Sequence, residues 1–347
     1  MGIKKKILAC YLFVFSCSLL LAQKIGFTKV IVDTNCSFRG LSVVDDKVAW
    51  LSGRNGVVGV TTDGSRTWNF ITVKDCGKMD FRTIYAFNAK EAVIANTGSP
   101  ALVLRTSNSG VTWDTVYMNK DSLAFIDGVD FWNEYEGVIY GDPVDGHIFI
   151  AKTEDGGQTW KELPKESRPL MNKGEASFAA SGTGIRCYGK NNVMICTGGK
   201  VSRLLVSEDE GKNWRSVSTP IIQAEEGRGI FSVAINGDSN WVIVGGDFRH
   251  DTLKNKNAFY TTDTGKTWSA PVATTGGYRE CVEFLTRKLV LTCGPDGTDV
   301  SFDGGVVWNP VADQKGFHVV RKARKGNLVI AAGKGKISIV LVERHLE

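Results

Sequence analysis

Four arginines stand at comparable places in this chain, each near the start of a run rich in β-branched and aromatic residues: Arg39, Arg82, Arg228 and Arg279. A guanidinium is a planar fork of donors that matches a carboxylate or a phosphate. Asp127, Ala179 and His318 hold the corresponding places in three further units, so the expectation is one ring of positions dominated by arginine. Loops expected on the same face add Arg54, Asp142, Asp145, His147, Lys200, Asp247, Arg249, His250 and Asp251, and Glu175, Tyr278, Glu280 and Glu283 lie close by in sequence. Two chemistries suit such a set. The first is an anion-binding mouth for an acidic peptide, a carboxylated sugar or a protein C-terminus, formed by Arg39, Arg82, Arg228, Arg279, Asp142, Asp247, Arg249, His250 and Glu280. The second is glycoside hydrolysis of the sialidase type, with the arginines on a sugar carboxylate, Tyr278 as nucleophile assisted by Glu280 or Glu283, and Asp142 or Asp247 as the acid. The plain alternative to both is that each arginine pairs with an acid of the neighbouring unit.

The elements that would position these residues are announced by a phrase written six times. It runs from Thr62, Ser107, Thr153, Ser207, Thr262 and Ser301 through an Asp (Asn108 in the second copy) and one or two glycines to Trp68, Trp113, Trp160, Trp214, Trp268 and Trp308. The tryptophans are 45, 47, 54, 54 and 40 residues apart, the length of a four-stranded propeller blade. The chemistry of the phrase is that of a turn. The Asp oxygens accept backbone N–H groups, glycine supplies positive φ, and the tryptophan buries a large ring. Each copy is therefore expected to join the third and fourth strands of a blade. Ahead of each copy lie short β-rich runs bounded by Gly, Asn and Asp, such as Leu41–Val44 and Val48–Leu51, or Ile230–Ile235 and Trp241–Val244 with the long loop Gly245–Asn257 after them. A seventh unit, Gly316–Val320, Leu328–Ala332 and Lys336–Val342, lacks a fourth strand, and the β-rich stretch Ile25–Val32 is expected to supply it. The expectation is an all-β, seven-bladed β-propeller with Asp-box turns, its last blade closed by the N-terminal strand. A six-bladed ring with a C-terminal extension is the alternative.

These phrases are Asp-box (BNR) repeats. The segment from Phe38 to Gly53, with Arg39-Gly40-Leu41 and Val48-Ala49-Trp50 ahead of the first Asp box, resembles a blade of the photosystem II stability/assembly-factor-like propellers. That resemblance implies a seven-bladed ring acting as a binding scaffold. Asp boxes also occur in sialidases, which resemble one another by an Arg-Ile-Pro motif, whereas this chain has Arg39-Gly40-Leu41.

Residues 1–22 read as a secretory signal peptide: Lys4, Lys5 and Lys6, then the apolar run Ile7–Leu21, then a small-residue cleavage site at Ala22-Gln23. The apolar run is short for a membrane span, and lipid attachment at Cys17 is the lesser alternative. The mature chain, 23–347, is expected to be one propeller domain, exported to a periplasm or the outside, with no membrane span and monomeric. Without the leader there are 39 basic against 37 acidic residues, which is not the footprint of a nucleic-acid-binding protein. The run Arg321-Lys-Ala-Arg-Lys325 reads as a solvated hairpin turn. Six cysteines remain, and pairs Cys187–Cys196, Cys281–Cys293 and Cys36–Cys76 stand beside plain buried thiols as readings. No cofactor is expected: Gly245-Gly246 and Gly333-Lys-Gly335 lack the G-x-G-x-x-G spacing, and His147, His250 and His318 lack metal-ligand spacing. The partner implied is a protein, or an acidic or glycan ligand.

Overall fold

In a computed structural model, residues 23–30 and 34–344 are described. The signal-peptide and Cys17 expectations fall outside those residues. The described chain is all-β, with seven antiparallel sheets. Blade one is Phe38–Val43, Ala49–Gly53, Val57–Thr61 and Asn69–Thr72. Blade two is Asp80–Ala86, Ala92–Thr97, Ala101–Thr106 and Asp114–Asn119. Blade three is Ile126–Phe131, Gly137–Val144, His147–Thr153 and Lys161–Glu162. Blade four is Ile185–Tyr188, Asn192–Cys196, Arg203–Ser207 and Arg215–Ser218. Blade five is Arg228–Asn236, Asn240–Asp247 and Ala258–Thr261, extended across its inner edge by the short pair Glu175–Ala176 and Gly198–Gly199. Blade six is Cys281–Phe284, Val290–Gly294, Gly297–Ser301 and Asn309–Pro310.

Blade seven takes Phe317–Lys322, Val329–Gly333 and Lys336–Arg344 from the C-terminal end and Gln23–Val30 from the N-terminal end. The two ends pair antiparallel from Gln23 opposite Arg344 to Val30 opposite Ile337. The first strands of successive blades pack side by side around the channel. They are buried, whereas the fourth strands are largely exposed, so chain order within a blade runs from the axis outward. Apolar side chains on facing strands fill the space between neighbouring blades, as where Phe38, Leu51, Phe317 and Ile330 share one cluster. Blades are also stitched by backbone N–H groups that donate to side chains of the preceding blade: Val129 to Thr83 Oγ1 at 3.0 Å and Val282 to Ser232 Oγ at 3.0 Å.

The six turns between third and fourth strands have the chemistry expected, with one shift of register. In blade three, Thr153 Oγ1 accepts from Gly157 N at 2.9 Å and donates to Asp155 Oδ1 at 2.8 Å. Asp155 Oδ1 also accepts from Gln158 N and Thr159 N, both at 2.9 Å, and Oδ2 accepts from Thr159 Oγ1 at 2.6 Å. The capping hydroxyl thus lies two residues before the Asp. In copies one, two and five it is Thr61, Thr106 and Thr261, not Thr62, Ser107 and Thr262. Gly157, at φ 81, lies so close to blade two that a Cβ would meet Val93 Cγ2 at 2.8 Å. The turn of one blade therefore locks onto the flank of its neighbour.

All six cysteines among the described residues are free thiols. Cys187 stands opposite Val193 rather than Cys196, so that proposed pair is out of register. Cys281 and Cys293 do stand directly opposite each other. Among the described residues no helix is long and apolar enough to cross a membrane.

Three outcomes follow from these contacts. Deleting residues 23–30 uncovers the edge of Lys336–Arg344; the melting temperature should fall by at least about 10 °C, and light scattering should show concentration-dependent association. A truncated protein that melts normally as a monomer would contradict closure of the ring by this strand. Thr153→Val removes a buried hydroxyl that both donates and accepts, and should cost about 1–2 kcal/mol in chemical denaturation; a loss within error would show the hydroxyl to be dispensable. The third outcome is set by acid. The Thr67 hydroxyl and N–H hold the Asp63 carboxyl at about 2, and Asn213 and Thr267 hold Asp209 and Asp263 there likewise. Their contribution is complete above the ordinary carboxylate range and is lost as pH falls from about 4 toward 2. Melts across that range should show a steep decline, and an even melting temperature would be the contrary result.

Candidate ligand-binding mouth of the channel

At the start of the inner strands the ladders skip a residue. The register jumps between Phe38 and Gly40, Phe81 and Thr83, Ile126 and Gly128, Ile230 and Ser232, and Phe317 and Val319. The residues set free by these bulges are Arg39, Arg82, Asp127, Phe231 and His318. A bulge releases one residue from pairing and re-aims its side chain. Here it aims them at one end of the channel: Arg39, Arg82, Asp127 and Phe231 line a cavity of about 400 Å³. Glu280, just before the first ladder pair of blade six, joins them, and His318 Nδ1 is 2.6 Å from its carboxylate. Asp142, freed by a second bulge in blade three between Gly141 and Pro143, completes the polar lining with Ser177. The apolar wall is aromatic. Phe178 stacks on Phe231 with centroids 4.0 Å apart, and Phe248 and Tyr278 meet Phe231 edge-on.

Of the residues singled out in the sequence, Arg39, Arg82, Asp142 and Glu280 line this cavity, whereas Arg228 and Arg279 do not. The inner strand of blade five begins early, at Arg228, so its bulged residue is Phe231. Arg228 lies three residues back and is held by Asp247 at 2.9 Å and Glu225 at 2.6 Å. In blade six the mouth position belongs to Glu280. Its neighbour Arg279 is 2% exposed and paired with Asp299 at 2.6 Å within the blade, away from the cavity. Ala179 lines the cavity as a loop residue, its carbonyl accepting from Arg82 at 3.3 Å. Asp247, Arg249 and His250 form a rim cluster beside the cavity: His250 Nδ1 and Asp247 Oδ2 are 3.0 Å apart, and Arg249 N donates to Asp247 Oδ1 at 2.9 Å. Phe248 links that loop to the cavity wall. Glu175 is buried in a pair with Arg203 at 2.8 Å and Glu283 pairs with Arg186 at the other end of the channel, so neither reaches the mouth.

The charges at the mouth fall into two groups. Arg39 pairs with Glu280 at 3.0 Å and also donates to Ala180 O at 2.6 Å. Burial opposes ionisation of Glu280, but the His318 hydrogen bond and the Arg39 charge outweigh it and hold the carboxyl below its usual range. Arg82 pairs with Asp80 at 2.8 Å. Asp127 is different: it is 1% exposed, and neither of its oxygens has a hydrogen-bond partner among the described residues. Burial, then repulsion from Asp142, push its carboxyl well above the usual range, against the pull of Arg82. Burial raises Asp142 as well, opposed by the Ser177 N–H at 3.1 Å. Arg39 Nε and Ser177 Oγ are further buried atoms on this cavity without partners among the described residues. Tyr278 is 2% exposed and donates to Glu280 at 3.4 Å. Burial pushes its phenol well above the ordinary range, the opposite of what a tyrosine nucleophile needs.

At the opposite end of the channel a cavity of about 220 Å³ is lined by Arg186, Arg321, Arg324, Asp130 and Glu283. The expected solvated turn at Arg321–Lys325 is only half right. Arg321 faces the channel beside Glu283 at 3.8 Å, and Arg324 lies 4.4 Å over the Tyr85 ring and donates to Ser42 Oγ at 2.9 Å.

With this geometry in place, comparison with known proteins is informative. Residues 21–123 match the family model described as photosynthesis system II assembly factor YCF48, and residues 147–282 match the model described as sortilin, neurotensin receptor 3. No curated protein matches the sequence. A structure described as YCF48 bound to D1 peptide superposes with a TM-score of 0.66 at 15% identity, over 92% of this chain and 97% of that one. YCF48 from Cyanidioschyzon merolae gives 0.65 at 16% identity, over 90% and 98%. A GH74 xyloglucanase from Xanthomonas campestris gives 0.61 at 16% identity, over 90% of this chain and 53% of the enzyme. At these identities the superpositions speak for the fold. Together with the six Asp boxes and the sevenfold ring, they make this chain an Asp-box repeat β-propeller similar to the YCF48-type photosystem II assembly factors.

Proposed function

We propose that this protein is an exported, assembly-factor-like scaffold that takes a segment of a protein partner into the channel mouth. The observation that carries the reading is the mouth itself. It is a preformed concave site in which aromatic faces stand beside polar atoms that the fold leaves without partners. A propeller of nearly the same span, YCF48, is described with a bound peptide, which supports a peptide as the class of ligand. Arg39 keeps a buried Nε without a partner among the described residues and Arg82 lines the same cavity, and both are assigned to carbonyl or carboxylate oxygens of the entering segment. Export rests on Lys4–Lys6, the apolar run after them and Ala22-Gln23.

Glycoside hydrolysis is the second reading, favoured by one observation, the adjacent carboxyls Asp127 and Asp142. A two-carboxylate mechanism needs one acid protonated and one ionised. Here burial raises both, and Glu280 is already engaged by Arg39 and His318, so the scaffold reading is the better supported.

The test is capture from the native cell envelope with the mature chain as bait, set against a double variant Arg82→Ala, Phe248→Ala. Both residues are partly exposed on the cavity, so the variant should fold normally. Its yield of a co-purifying protein should drop at least about tenfold. Equal capture by both baits, with matching melting temperatures, would remove the mouth as the binding site. Mass spectrometry of the exported protein should find an N-terminus at Gln23, and an unprocessed cytoplasmic protein would overturn export.

A further inference from the structure

The arginines at the mouth are each paired with an acid of their own; Asp127 and Asp142 of blade three have no such partner among the described residues. Arg39 answers Glu280, and Arg82 answers Asp80. His318 also faces Glu280, and Arg54 also faces Asp80 at 3.4 Å. Among the described residues, neither Asp127 nor Asp142 has a cation within ion-pair distance. Two bulges in one blade aim these carboxyls at the cavity. Asp127 follows Ile126 and Asp142 follows Gly141, so the two bulged residues flank that antiparallel pair on a diagonal, and both line the cavity. One bulge turns a single residue. Two in one blade, each releasing an acid to the same cavity, build a surplus of acceptors where burial makes acceptors costly. Among the described residues, the one hydrogen bond either carboxylate accepts is that from the Ser177 N–H to Asp142.

We propose that Asp127, with Asp142 beside it, receives a cationic side chain, a lysine ammonium or an arginine guanidinium, carried by the segment that enters the mouth. This rests on the reading of the cavity as the binding site. An anion is the wrong partner for Asp127, since it brings acceptors to acceptors. A neutral hydroxyl could bond to an oxygen but would leave the two carboxyls repelling each other. A cation supplies the missing donors and compensates the pair at once. The wall completes the fit. The faces and edges of Phe178, Phe231, Phe248 and Tyr278 enclose the same cavity, and aromatic faces attract ammonium and guanidinium groups. Arg39 Nε, unpartnered at the same cavity, then serves an oxygen of the segment's backbone. The mouth is thus a mixed receptor that reads a positive side chain through blade three and the peptide oxygens through blades one and two.

The test uses blocked single residues as probes, so that only side-chain charge differs: N-acetyl-arginine amide, its neutral isostere N-acetyl-citrulline amide, and N-acetyl-glutamate amide. Binding to the mature protein is followed by ligand-observed NMR and calorimetry. The arginine probe should bind at least about tenfold tighter than citrulline, and the glutamate probe more weakly still. Asp127→Asn should erase the preference for arginine over citrulline, and Asp142→Asn should reduce it several-fold. Asp127→Asn should melt at or above the wild-type temperature near pH 7, because it replaces an acid whose ionisation the folded state resists. If that variant does not fold, Asp142→Asn decides alone. Equal or tighter binding of citrulline or glutamate, no binding of any probe, or unchanged selectivity in the variants would each overturn the proposal. These results leave the capture experiment independent. Capture that still depends on Arg82 and Phe248 would then mean that the mouth binds its partner without a cationic anchor.

Discussion

The pairing of the first described strand with the last holds the site together as surely as it holds the fold. Gln23–Val30 lies against Lys336–Arg344, and that single ladder turns a row of sheets into a ring. A row would leave two sheet edges unpaired, each a template for association. It would also leave no mouth. Arg39, Asp127, Phe231, Glu280 and His318 come from five different blades, with up to 279 residues between the first and the last in sequence. Closure brings Arg39 of blade one to 3.0 Å from Glu280 of blade six, whose other oxygen lies 2.6 Å from His318 of blade seven.

Within the closed ring, the bulge is the device that converts scaffold to site. An inner strand in perfect register would bury alternate residues between blades and offer the channel mouth little beyond backbone. The skipped residue is freed of that alternation, so it can be large, charged or aromatic without disturbing the core. The following residue does the opposite job. Thr83 and Ser232 sit directly after the skip, Cys281 opens the blade-six ladder, and the three accept the N–H of Val129, Val282 and Val320 in the next blade. Variation in chemistry at the mouth and constancy of packing just below it are therefore neighbours in sequence. This arrangement lets one wheel serve many ligands, and it explains why likeness of fold to a hydrolase and to an assembly factor carries so little about activity.

How much of this was written legibly in the chain follows from the same device. The tryptophan period, the Asp-box turns and the borrowed N-terminal strand depend on local turn chemistry and on alternation, both visible residue by residue, and all appear in the fold, the strand expected at Ile25–Val32 being described as Gln23–Val30. Arg39 and Arg82 were found because their bulges sit where a strand begins in the common pattern. Arg228 and Arg279 stand off the cavity and Phe231 and Glu280 line it, because neither the early start of the blade-five strand nor the point where the blade-six ladder begins leaves a mark in the sequence. Reading Thr62 for Thr61 as the capping hydroxyl is the same error on a smaller scale: adjacent threonines differ only in which side of the strand they face. The aromatic wall was missed because Phe178 and Phe248 arrive on loops that only the three-dimensional ring brings together.

The electrostatic character of the mouth is the step at which counting residues misleads most. Arginines near strand starts suggest a positive site, yet a charge contributes to recognition only to the extent that the fold has not already spent it on a neighbour. Glu280 and Asp80 occupy Arg39 and Arg82, whereas Asp127 meets no donor among the described residues. An unsatisfied buried acid is a standing penalty on stability, and one placed by a bulge against an open cavity is poorly explained by packing. Its cost is more naturally relieved from the cavity side than from the core. The sign of this mouth is therefore set by what remains unpaired rather than by what is present, and what remains unpaired most deeply is a carboxyl group.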